Sequence, residues 1–146
     1  YPLSETAQQI LVEILHREGF ELVEDREATI VNQVKALIVK DIHHKKEKEV
    51  GQKFSDFLAS KTGIEYSNLS KLFSEIVGNT IEHYAIEQRI ERAKELLIYN
   101  ELTLSQISYD LDYSSPQHLS RQFKQITGMT PTDFKQRGKR KKLDTI

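Results

Sequence analysis

Two side chains in the last third of the chain are suited to reading the edges of nucleic-acid bases. Arg121 carries a fork of donors that matches the paired acceptors of guanine, and Gln117, four residues earlier, can donate and accept together as an adenine edge requires. A helix through this stretch shows both on one side, with Ser120 beside them and Lys124 one further step along, where a cation suits a phosphate. Fifty residues upstream, Ser67, Ser70 and Lys71 hold the same places relative to their apolar neighbours. They are less discriminating readers, because a hydroxyl or a single ammonium fits several base edges.

Other chemistries find less support. The chain has no cysteine, which removes thiolate nucleophiles, disulfides and thiolate metal sites together. Of its five histidines, His43 and His44 are adjacent and point to different sides of a helix, and His83 with Glu87 has ligand-like spacing but no third ligand in view. No metal and no cofactor are expected. No nucleophile with base and orienter, phosphate-binding glycine loop or paired carboxylate stands out, so an enzyme is not expected either. The abundant glutamates read as solvated helix faces and short-range ion pairs, as with Glu91 and Glu95 beside Arg92 and Lys94.

The elements that must position the readers follow from an internal repeat at an offset of 50 residues. Leu69/Leu119, Ser70/Ser120, Phe73/Phe123, Ile76/Ile126, Gly78/Gly128 and Thr80/Thr130 are identical pairs without a gap, and Lys71/Arg121 and Tyr84/Phe134 are similar. Upstream, Phe54/Leu104 and Phe57/Ile107 also correspond. Each copy predicts a short helix, a turn, a longer helix, a terminating glycine and the start of another helix. Leu69, Leu72, Phe73 and Ile76 form the expected buried stripe of one long helix, and Leu119, Phe123 and Ile126 that of the other. The turns, Thr62 to Tyr66 and Asp112 to Ser114, are short enough to hold two helices at a steep angle, and Asp112 tolerates a left-handed backbone. Thr103 with Gln106 makes a capping box, and Ser115-Pro116 and Thr130-Pro131, the latter with Asp133, each mark a helix start.

Between the copies, Ile81 to Tyr99 reads as one helix packed against both halves. At about 1.5 Å per residue its length of roughly 28 Å approaches the ~34 Å of one DNA turn. The expectation is that both readers present their polar sides in a common direction. Near the start, Ser4 caps a helix bearing Ala7, Ile10, Leu11, Ile14 and Leu15, with Gly19 as its terminator and an extended piece from Phe20 to Glu24. A second helix from about Glu27 to His44 carries Ile30, Val31, Val34, Leu37, Ile38 and Ile42 on one face, then gives way to the charged connector Lys45 to Glu49. The fold class expected is all-α: two helix-turn-helix subdomains joined by a long linker helix, with a short helix plus strand-like remnant at the N-terminus.

At 146 residues there is room for one ordinary domain with a small appendage. The net charge of −1 conceals a gradient: residues 1–25 carry −5, residues 26–112 carry −2, and residues 113–146 carry +6. Attraction to phosphate is concentrated in the last third. No apolar run approaches the roughly 18 residues that cross a bilayer and no signal peptide opens the chain, so no membrane partner and a cytoplasmic, nucleoid-associated location are expected. Because residue 1 is Tyr, the chain can be a fragment.

The residues Leu69-Ser70-Lys71-Leu72-Phe73 with Gly78, the stretch Gln88 to Leu97, Ile107, His118-Leu119-Ser120-Arg121-Gln122-Phe123-Lys124 and Gly128-Met129-Thr130-Pro131 together resemble the DNA-binding domain of AraC/XylS-type bacterial transcription regulators. The likeness runs from about Phe54 to Phe134, and further with the helix near residues 27–44 as the family's first. It implies base contacts from Ser67, Ser70 and Lys71 in the first motif (about 54–78) and from Gln117, Ser120 and Arg121 in the second (about 104–128), with Lys124, Arg89, Arg92 and Thr130 on the DNA backbone. It also implies double-stranded promoter DNA as the partner, RNA polymerase as a second one, and activation as the output. The effector stays open. On this reading residues 1–25 end an N-terminal, ferredoxin-like module, 26–137 form the DNA-binding domain and 138–146 a basic tail.

Two departures matter. Ser74-Glu75 stands where lysine is usual, and Asp112-Tyr113 replaces Gly-Phe in the second turn. With the charge gradient, the first suggests that the second motif supplies most of the electrostatic affinity. The rival readings are a helical protein-interaction or adaptor module without groove readout, and a small effector sensor with its pocket between the N-terminal helices.

Overall fold

A computed structural model describes residues 5–44 and 52–144. Among these, seven helices follow one another: α1 (Glu5–His44), α2 (Phe54–Thr62), α3 (Tyr66–Val77), α4 (Ile81–Tyr99), α5 (Leu104–Asp110), α6 (Pro116–Thr127) and α7 (Pro131–Asp144). No strand occurs among the described residues. The expected cap at Ser4 and the connector Lys45 to Glu49 lie outside them.

The first departure from expectation is α1. Gly19 does not end a helix and Phe20 to Glu24 is not extended; 40 residues run as one helix. A lone interior glycine costs only about 1 kcal/mol against alanine, no proline interrupts the run, and the helix satisfies backbone groups that a strand without a partner leaves unpaired. The boundary expected between residues 25 and 26 therefore falls inside continuous helix. Ile10 and Ile14, expected on an apolar face, are exposed, whereas Val31, Val34 and Ile38 in the later part are buried as their spacing predicts.

The chain divides into two compact units. The first takes α1 up to Leu37 together with α2 and α3. Its buried side chains are Val31, Val34, Phe57, Leu58, Leu69 and Phe73. The amide of Gln33 in α1 donates to the carbonyl of Lys61 at the end of α2, at 3.4 Å. Between α2 and α3 the chain reverses through Gly63 at φ 73°, a left-handed backbone that an L side chain seldom adopts.

The second unit takes α1 from Ile38 onward with α4 to α7. Ile90, Ala93 and Leu97 of α4 meet Ile107 of α5, Leu111 and Tyr113 of the turn, and Leu119 and Phe123 of α6; Ile42 and Phe134 pack at the margin. The Phe123 and Phe134 rings meet edge to face with centroids 5.6 Å apart, fixing α6 on α7. Local chemistry sets the ends of these helices. Thr103 and Gln106 form a reciprocal capping box at α5, the Ser115 hydroxyl accepts from the His118 amide ahead of Pro116, and the Thr130 hydroxyl accepts from the Asp133 amide at 3.1 Å. The basic tail expected from residue 138 is not separate: α7 continues through it to Asp144.

Candidate nucleic-acid interface

In each unit a short helix, a tight turn and a longer helix produce one amphipathic reader. In α3, Leu69 and Phe73 are fully buried, four residues apart, and this anchors the helix so that Ser67 and Lys71, also four apart, are exposed. Ser70 and Ser74 are half-buried beside that strip. In α6 the same arithmetic buries Leu119 and Phe123 and exposes Gln117, Arg121 and Lys124, which follow at steps of four and three along one side; Ser120 is half-buried. Among the described residues none of Ser67, Lys71, Gln117, Arg121 and Lys124 has its side chain engaged in a hydrogen bond or ion pair. Their donors are open to an external partner.

The last turn of each reader corrects the expected stripe. Ile76 is 45% exposed and Ile126 38% exposed, so both leave the core at the equivalent place in the repeat. Each stands two residues before the left-handed glycine, Gly78 or Gly128, that ends its helix. Leu72 is half-buried.

Apart from Lys124 on α6, the backbone-contact candidates sit on other elements of the second unit. Arg89 on α4 is half-buried and its charge opposes the upward push that burial exerts on the Tyr113 hydroxyl. Arg92 is already paired with Glu95 at 2.8 Å, so a phosphate has to compete with that carboxylate. Thr130 spends its hydroxyl lone pair on the α7 cap but keeps its proton to donate. His83, the suspected ligand, pairs with Glu87 at 2.8 Å, and among the described residues no cluster of three or more metal-ligating side chains occurs.

Electrostatics distinguish the two readers. No acidic residue stands anywhere along α6 or at its Ser115 cap, so the positive end of the helix dipole and two cations act together. α3 begins at Glu65, whose side chain makes no capping bond, and carries Glu75 against its single Lys71.

The second reader also has a feature the sequence did not disclose. Asp112 takes up the left-handed backbone expected of it, at φ 61°, and the undisclosed part is that Tyr113, next in the chain, enters the core. There the Tyr113 hydroxyl donates to Gln122 Oε1 at 2.5 Å, and its ring meets that of His118 edge to face at 5.1 Å. His118 was legible only as a member of the repeat, paired with Asn68. Both are exposed in the first turn of their helices, and the signal available in the sequence was that both have hydrogen-bonding ends.

Comparison with known proteins falls on the same segment. The sequence model of a family described as "Helix-turn-helix domain" matches residues 58–137, more than half the chain. The xylose operon regulatory protein of Escherichia coli K12 is 35% identical over 80 residues, which are 55% of this chain and 20% of that protein. An uncharacterized HTH-type transcriptional regulator of Staphylococcus aureus MSSA476 is 35% identical over 78 residues, 53% of this chain and 10% of its own length. The chain thus spans a fifth or less of these curated relatives. Among solved structures, an AraC-type transcriptional regulator of Chromobacterium violaceum superposes with a TM-score of 0.66 at 22% identity, over 76% of this chain and 93% of that one. The xylose-binding transcription activator xylR does so at 0.62 and 30% identity, over 74% and 27%. The DNA-binding domain of AdpA, solved in complex with a target DNA, does so at 0.60 and 19% identity, over 72% and 88%.

Proposed function

The chain belongs to the AraC-type helix-turn-helix family, and on that premise we propose that it is a sequence-specific reader of double-stranded promoter DNA in transcription control, using α3 and α6 as two major-groove helices. One observation carries the reading. Twice in the chain a buried leucine and phenylalanine turn outward a strip of polar side chains with open donors, and the second strip combines Gln117, Arg121 and Lys124 with an acid-free helix start. Base edges in the major groove offer the acceptors and donors these groups fit, and phosphates offer the charge. The family is one of regulators, not an enzyme class. In this reading Ser67, Ser70, Lys71, Gln117, Ser120 and Arg121 contact bases, and Lys124, Arg89, Arg92 and Thr130 contact the backbone.

The finer parts of the reading are the following. The domain extends from about residue 26 to 137, and the two readers take successive groove segments of a site that need not be palindromic. No described helix is long and apolar enough to cross a membrane; the reading places the chain in the cytoplasm with the nucleoid DNA. Activation is supported by the likeness to a solved transcription activator, and contact with RNA polymerase is the route this reading adds to it.

Selection from a random duplex pool, followed by titration across salt, tests the reading. A binding duplex should emerge, its log affinity falling linearly with log salt as released counterions require. A footprint covering one groove segment defeats the two-reader arrangement, and no salt-dependent binding at all defeats the function. Reversal of charge at Glu65 and Glu75, both exposed, tests the polymerase contact in a transcription assay run with the promoter saturated, so that altered DNA affinity does not enter; unchanged output counts against it.

A further inference from the structure

Exposed side chains on a helix ordinarily sample several rotamers and lose that freedom on binding. His118 is exposed in the first turn of α6, yet two contacts hold its ring: the edge-to-face packing on Tyr113, 5.1 Å between centroids, and the 3.2 Å approach of Nδ1 to the Ser114 hydroxyl. Tyr113 is itself buried in the core of the second unit and tied to Gln122, so the imidazole is mounted on a packed, hydrogen-bonded ring. The contacts leave Nε2 unengaged among the described residues. Around the axis of α6, at about 100° per residue, His118 stands roughly 60° from Arg121 on the side away from Gln117, exposed on the flank of the strip those two share.

We propose that His118 is a third base reader of the second motif, held ready by Tyr113 and Ser114 so that Nε2 donates to the acceptor edge of a purine adjoining the base pair read by Arg121. This rests on the reading of α6 as a groove helix and deepens it. When the Ser114 hydroxyl donates to Nδ1, the neutral ring carries its proton on Nε2; when the ring is charged, Nε2 carries one too. Guanine N7 and O6 and adenine N7 are the purine acceptors such a donor meets in the major groove, thymine offers O4, and cytosine offers only a donor. The first motif repeats the placement with Asn68, which is exposed at the matching position of α3 and is also capable of base-edge bonding.

The test uses the full chain and the duplexes it selects from a random pool, with wild type, Arg121→Ala, His118→Ala, His118→Phe and Ser114→Ala compared. His118→Phe keeps a ring against Tyr113 and lacks the nitrogen. The expected result is that both His118 variants lose about tenfold in discrimination at one base pair, distinct from the pair affected by Arg121→Ala. Ser114→Ala should weaken the same preference in the wild-type background and add nothing in His118→Phe, a coupling that a purely structural role does not produce. An unchanged preference in His118→Phe, or an equal loss of affinity on every sequence, overturns the assignment while leaving the role of α6 intact. Failure of the wild-type chain to select any duplex overturns both.

Discussion

Arg121 and Lys124 stand on one side of the same helix with their donors open, and in the proposed reading what separates them is the part of the duplex each contacts. Arg121→Ala should cost about 1 to 3 kcal/mol and flatten preference at one base pair, whereas Lys124→Ala should weaken all sequences alike and reduce the salt slope by about 1. Anisotropy titrations of matched and mismatched duplexes at several salt concentrations distinguish the two, and an equal loss on every sequence from Arg121→Ala removes its reading role. Tyr113 allows a second prediction at this scale. Burial raises its hydroxyl pKa above the ordinary 10.0, with Arg89 opposing in part. Below pH 10 the phenol is neutral whether the chain is folded or not; above it the unfolded chain ionises first, so folding stability falls as pH rises past about 10. Melting curves should show a shallower fall for Tyr113→Phe. Which polar side chains of α3 and α6 are exposed together was largely legible in the sequence, because residue type and a spacing of four determine which donors share a helix side. The seat of His118 was not, since the left-handed turn at Asp112 was expected but the burial of Tyr113 and its packing on His118 are tertiary contacts that residue type does not contain.

Helix ends were the most legible elements, for their signals are local. The caps at Thr103, Ser115 and Thr130 all form the bonds their spacing predicts. Ser115→Ala should accordingly cost about 1 kcal/mol of stability, and the Pro116 that follows limits the damage by keeping the first turn of α6 in helical geometry. Loss of a core anchor is larger: Phe73→Ala or Phe123→Ala should cost about 3 to 5 kcal/mol. Denaturant unfolding measures both, and a Phe123→Ala cost below that of Ser115→Ala contradicts the burial on which the reader depends. Periodicity served less well where it had to name a partner. It put Ile76 and Ile126 in the buried stripes and both are exposed, because spacing within one helix does not say which other element covers its last turn. It also let Gly19 end a helix that continues. Gly19→Ala should therefore raise helical content or stability, by up to about 1 kcal/mol, and a decrease in circular dichroism at 222 nm would argue for the extended segment after all.

For the whole molecule the repeat was legible, because duplication leaves identical residues at a fixed offset, and so was the gradient of charge. How that charge falls on the two readers follows from both. From Tyr113 onward the chain carries +6, while everything before it sums to −7. The second reader has Arg121 and Lys124 with no acid on its helix, and the first sets Lys71 against Glu65 and Glu75. Each phosphate neutralised contributes about 0.9 to the slope of log affinity on log salt. The second motif should then supply most of that slope, with the first adding modest preference among sequences. At low salt Lys71→Ala should lower affinity less than Arg121→Ala or Lys124→Ala does. Glu75→Lys, which places a cation where the resemblance leads one to expect it, should raise affinity on all duplexes alike and steepen the slope by up to about 0.9. Equal losses from Lys71→Ala, Arg121→Ala and Lys124→Ala would sink the asymmetry. An unchanged slope in Glu75→Lys would mean that this side of α3 meets no phosphate, and the first reader would have to approach the groove by its Ser67 end alone.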